Sequence, residues 1–147
     1  MSLEDWLREG RLRPHGTNRE EIAGLLRVAD RDLADATIGA LSADRRFATA
    51  YNAILQTATA VVRASGYRVA GPDHHWLTIQ ALADLMPRLE PGVLEYLDAC
   101  RRKRNKVDYD SADVVSEKEV DEIVREAGGF RLVVRKWLKG KHPRLAP

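Results

Sequence analysis

Apolar residues recur every three or four positions along most of this chain, the period of helices that each bury one face. A short helix is predicted over Leu3 to Arg8, then a loop punctuated by Gly and Pro through Gly16. Thr17 and Glu20 read as a capping box, and Ile22, Leu25, Leu26, Ala29, Leu33 and Ala36 form the stripe behind it, with an end near Gly39. Ser42 or Asp44 starts a second long helix, whose inner side reads Phe47, Ala50, Tyr51, Ile54, Leu55, Ala58, Val61 and Val62 until Ser65 and Gly66 stop it. The short turn between these stripes predicts a helical hairpin. Residues 67–72 are expected as a loop, with Asp73 capping a third helix that carries Trp76, Ile79, Leu82, Leu85 and Met86 up to Pro87.

Pro91 opens a fourth helix at a favoured first-turn position, with an interruption expected over Asp108 to Asp113. Ser116 and Glu119 form a capping box for a fifth, with Val120, Ile123, Val124 and Ala127 inward. Gly128 and Gly129 each cost about 1 kcal/mol relative to alanine, yet Phe130, Val133, Val134 and Trp137 resume the spacing, so the helix is expected to continue. These elements predict an all-α fold, an antiparallel bundle of four to five main helices over residues 17–138. Residues 1–16 form an N-terminal segment, and the basic tail 139–147 is expected to fray.

One stripe breaks the pattern. On the fourth helix Leu94, Leu97, Arg101, Arg104, Asn105 and Asp108 share a side, so an apolar face turns polar halfway along. An unpartnered buried charge costs several kcal/mol, which leaves two explanations. Arg104 with Asp108 and Arg101 with Asn105 sit one turn apart and can form a network that fixes bundle register. Alternatively, the face meets an anion. Arginine offers a planar fork for phosphate, and asparagine can orient it.

Composition bounds the rest. A chain of 147 residues, 44% hydrophobic and 31% charged, fits one domain that needs neither metal nor disulfide. There is no apolar run of membrane-spanning length, the first residues carry acids early without a signal-like apolar stretch, and a cytoplasmic location is expected. Cys100 is the single cysteine and reads as core filler. The net charge is +2, but five of six residues from Arg101 to Lys106 are basic and six Lys or Arg follow from Arg131 onward, with an acidic stretch between. That stretch is expected to neutralise much of the field, so general duplex binding is not implied.

His74 and His75 are adjacent and diverge on a helix, so they do not make the i, i+4 pair of a metal site; no metal and no cofactor is expected. Helix capping beside Asp73 is their expected duty, with approach to Arg104 and proton transfer there as the alternative. Tyr51 and Asn52 read as a core residue and its polar neighbour.

Arg104-Asn105 near a helix end, after a hairpin containing DRRFATAYNAIL, resembles the HEPN superfamily of prokaryotic helical domains. The likeness spans most of residues 17–138 and is strongest in Asp44 to Leu55, GYRVAGPDHHW and CRRKRNKVDYD. It implies a bundle that dimerises with the Arg-Asn helix facing its mate. It further implies an RNA- or nucleotide-associated role for Arg101, Arg104 and Asn105, as metal-independent ribonuclease or as inert binding module. Catalytic members carry histidine after four to six further residues; here Tyr109 stands there. Tyrosine, with a pKa of about 10, is a poor base at neutral pH, and losing general acid-base help costs about 10²- to 10⁴-fold. Weak or absent ribonuclease activity is therefore expected, with Asp108, His74 and His75 as auxiliary groups. The resemblance also allows a helical partner of a nucleotidyltransferase in a toxin-antitoxin-type pair, with Tyr109 as acceptor of a transferred nucleotide.

Overall fold

The computed structural model describes residues 2–109 and 112–147, and they fold as the expected all-α bundle. Its helices are α1 (Leu3–Arg8), α2 (Arg19–Asp35), α3 (Ala43–Ala64), α4 (His74–Leu85), α5 (Pro91–Tyr109) and α6 (Glu117–Lys141). Helix α3 is the central element: α2, α4, α5 and α6 all pack against it. Its inward residues Phe47, Ala50, Tyr51, Ile54, Ala58, Val61 and Val62 are almost completely buried, so the chain's most continuous apolar stripe became its axis.

Local chemistry sets most helix ends. The Ser42 side chain accepts from the Arg45 N–H to start α3, and Ser116 with Glu119 closes a reciprocal capping box on α6. Gly66, at φ 93°, turns the chain out of α3 in a conformation that other residues resist. Helix α6 runs unbroken through Gly128 and Gly129, as the resumed spacing predicts.

Several expectations are corrected. Asn18, not Thr17, caps α2 by accepting from the Glu21 N–H at 2.8 Å, while the Thr17 hydroxyl donates to the Glu21 carboxylate. Helix α2 ends at Asp35, short of Gly39. Asp73 occupies the N-cap position of α4 at φ 60° and makes no side-chain cap bond. Two stretches read as loop pair as antiparallel strands, β1 (Leu12–Pro14) and β2 (Tyr67–Val69), with Arg13 opposite Arg68. This ladder ties the N-terminal segment to the hairpin end, and Trp6 and Leu12 are buried in the common core. The tail is not frayed: α6 continues to Lys141, His142 rests on Trp137 with ring centroids 5.1 Å apart, and Ala146 is buried.

Candidate functional site

Helix α5 enters the bundle apolar and leaves it charged. Leu97 and Cys100 are buried against the core, and burial pushes the Cys100 thiol up to about 11, which keeps it protonated and unreactive. One turn on, Arg101 and Arg104 retain only 19% and 32% side-chain exposure, so each guanidinium sits at the edge of the apolar interior.

The cations of the basic run are mostly paired. Asp98 accepts from Arg101 Nε at 2.8 Å and also holds Arg102. Arg104 Nη1 lies 2.8 Å from Asp108 Oδ2, and Lys103 Nζ lies 3.2 Å from Glu119 on α6. The Arg104 and Asp108 pairing follows the helical spacing. Arg101 differs from expectation, because Asp98 one turn before it offers a full charge and Asn105 only an amide dipole. Five cations from Arg101 to Lys106 thus face three carboxylates, which leaves residual positive charge on this end of α5. Arg104 Nε is buried and has no hydrogen-bond partner among the described residues.

Tertiary packing adds two groups that helix spacing cannot reveal. The Tyr51 hydroxyl, from α3, lies 3.5 Å from His75 Nδ1 on α4, and their ring centroids are 6.0 Å apart. His74 stacks edge-on against His75 at 4.7 Å. Burial lowers the His75 pKa, and the charges of His74, Arg104 and Arg101 press it the same way, so the ring is neutral at pH 7. Burial raises the Tyr51 pKa far enough to keep its phenol protonated, although Arg101 and Arg104 pull against that rise. The same two guanidiniums therefore act on both rings. His75 makes no capping hydrogen bond among the described residues; its Nδ1 lies against the Tyr51 hydroxyl instead.

Of the residues singled out from the sequence, Arg104 pairs with Asp108, and the charges of Arg101 and Arg104 act on both His75 and Tyr51. Asn105 is exposed on α5. Tyr109 ends that helix, and its side chain is outside the described residues. Two residues that the sequence reading did not assign to the site join it: Asp98, and Tyr51, which read as a core residue. Asp98 carried a signal, its i, i+3 spacing from Arg101, whereas Tyr51 was indistinguishable from a core aromatic.

Beside this cluster, α2, α3 and the end of α5 border an open cleft of about 720 Å³ that Asp108 lines together with Arg31, Asp32, Arg45, Thr49 and Asn52. No helix among the described residues is long and apolar enough to cross a membrane. No group of three or more His, Cys, Asp or Glu residues poised for a metal ion occurs among them.

A search of curated proteins finds no match to this sequence. A family model does: that of the SAV_6107-like HEPN domains matches residues 36–135, which run from the end of α2 through α3, α4 and α5 into α6 and so contain the whole arginine cluster. With a match over more than half of its length, the chain belongs to the SAV_6107-like HEPN family.

Proposed function

We propose that this protein is an RNA- or nucleotide-associated module that grips phosphate through Arg101, Arg104 and Asn105, with α5 of a second protomer completing the cleft. The observation that carries the reading is a pair of half-buried guanidiniums, Arg101 and Arg104, one turn apart on α5, whose charges act on both Tyr51 and His75. HEPN membership supports RNA as the ligand class. A phosphate oxygen competes well for arginine already drawn partly out of water, because the desolvation cost is largely met in the fold. The pairing carboxylates Asp98 and Asp108 hold the forks in place until then.

The test is fluorescence anisotropy with a single-stranded RNA across a salt series. Affinity should fall steeply with salt, by a log–log slope of about 0.7 per phosphate engaged, and Arg104→Ala should weaken it. Affinity indifferent to both removes the proposal. The homodimer is checked separately by mass in solution at micromolar concentration, where a strict monomer argues against a shared cleft.

A second reading, metal-independent RNA cleavage, is favoured by one observation: a partly buried imidazole, His75, whose Nδ1 lies 3.5 Å from the Tyr51 hydroxyl and whose pKa is lowered by burial and by the charge of Arg104, which suits it to accept a proton from an RNA hydroxyl. Cleavage lost in both Arg104→Ala and His75→Asn would establish it. Absence of cleavage in the native chain leaves binding alone.

A further inference from the structure

The β1–β2 ladder sets two arginines against each other. Arg13 lies directly opposite Arg68. Two residues to either side, the His15 N–H donates to the Gly66 carbonyl at 2.8 Å and the Ala70 N–H to the Arg11 carbonyl at 2.9 Å, so Arg13 and Arg68 occupy a hydrogen-bonded position of the ladder. At such a position the Cα atoms are about 5.5 Å apart and both side chains leave the same face. Leu12 is buried, and Val69 and Tyr67 pack on the core, so alternation turns both guanidiniums away from the interior. Like charges directly opposite destabilise a ladder, and a short two-stranded ribbon has little pairing to offset the cost.

No counter-charge relieves the pair. Neither arginine makes an ion pair among the described residues. Arg13 Nε donates to the Gly10 carbonyl at 3.4 Å, which holds the side chain without neutralising it. Glu9 and Glu21, from the segments on either side of β1, are engaged elsewhere: Glu9 lies 3.6 Å from Arg11, and Glu21 holds Arg63 and His15, each at 2.9 Å. The ribbon also adjoins the first turn of α4. Arg11, the residue before β1, places its guanidinium 5.7 Å from the Trp76 ring centroid, and Trp76 follows exposed His74 and the His75 ring whose protonation Arg104 and Arg101 oppose. Arg13 is two residues further along an extended strand, about 7 Å. The first turn of α4 therefore links the two cationic regions.

We propose that Arg13 and Arg68 form a second phosphate clamp, which holds the backbone of a single-stranded RNA after it leaves Arg101 and Arg104 and passes the first turn of α4; the inference rests on the RNA reading above and extends its binding track. A phosphate seated between the two forks replaces their repulsion with charge-assisted contacts to both. Such a clamp fixes the path of the strand and carries no base preference. The family likeness does not supply it, because the match begins at residue 36 and Arg13 lies before that.

The experiment measures the anisotropy of labelled oligouridylates, one of about three and one of about twelve nucleotides, over a salt series with the native chain, Arg104→Ala and the double variant Arg13→Gln/Arg68→Gln. The long strand should bind the double variant about tenfold or more weaker than the native chain, with a log–log salt slope lower by about 0.7 for the phosphate lost. The short strand, which stays at the α5 site, should bind both alike. Removing the opposed charges should leave Tm equal or raise it. Arg13→Lys/Arg68→Lys, which keeps both charges, should keep the native slope. Unchanged long-strand affinity in the glutamine variant, beside a loss in Arg104→Ala, overturns the clamp and leaves the α5 reading intact. A loss of equal size for both strand lengths overturns the extended track. A fall in Tm with the lysine variant losing as much affinity as the glutamine one also overturns the clamp, because the arginines then act through the fold. A long-strand loss in the glutamine variant with no effect of Arg104→Ala supports the clamp and rejects the site on α5.

Discussion

Replacing Arg104 with methionine separates a register-fixing network from a phosphate site, because the two assign opposite magnitudes to the same change. The Arg104 and Asp108 side chains are 32% and 34% exposed at 2.8 Å, an i, i+4 pair in contact with water. Pairs of this kind contribute about 0.3–0.5 kcal/mol, and here the arginine precedes the acid, the weaker order. Asp108 left alone can turn to solvent, so the penalty of about 3–5 kcal/mol for an orphaned buried charge does not arise. Methionine keeps much of the aliphatic packing. The loss of stability should therefore stay under about 1 kcal/mol, or at most about 4 °C in Tm for a domain of this size. RNA affinity should respond far more: removing charge-assisted bonds worth about 1.5–3 kcal/mol weakens it roughly 10- to 100-fold and flattens the salt slope by about 0.7. Asp108→Asn adds a sign test. It frees Arg104 from its counter-charge, so RNA affinity should rise. Thermal melts and anisotropy on the same preparations read both quantities. A stability loss of several kcal/mol with unchanged affinity in Arg104→Met, or weaker RNA binding in Asp108→Asn, would refute the reasoning.

Three further outcomes are expected. His75 has a folded pKa below its usual 6.5, so its contribution to stability is fully present above that pH and is lost as pH falls from about 6.5 through the lowered value; urea midpoints should drop over that window in the native chain and less in His75→Asn. Gly129 is exposed inside α6, and a Cβ added there meets nothing within 4 Å, so Gly129→Ala should raise stability by about 0.5–1 kcal/mol, seen as a higher Tm. Arg46 is buried, donating to the Ala36 carbonyl at 3.1 Å and to Glu117 at 2.8 Å, whereas the Glu117 side chain is 70% exposed. Arg46→Ala should therefore cost about 3 kcal/mol in chemical denaturation, because it strips a buried carbonyl of its donor.

Helix identity was legible because its determinants are local. Ser42, Ser116 with Glu119, and Ser65 with Gly66 act within a turn of themselves, and the stripes of α3 and α6 are long enough to outweigh two glycines. Local signals also explain the misses. Thr17 and Asn18 are both capable caps with an acid three residues on, and only the contacts of Glu21 with His15 and Arg63 select the second. The β1–β2 ladder joins segments more than fifty residues apart, and three-residue strands carry too little pattern to announce themselves.

The amino-acid sequence by itself determined the all-α bundle, the polar break on α5 and the Arg104–Asp108 pair, since all follow from positions three or four residues apart on one helix. Only the tertiary structure decided that α3 and α4 bring Tyr51 and His75 to that break, and that Asp32 and Asn52 meet beside it. Those contacts join residues 20 and 24 positions apart on different helices, and no helical period encodes the way one helix packs on another.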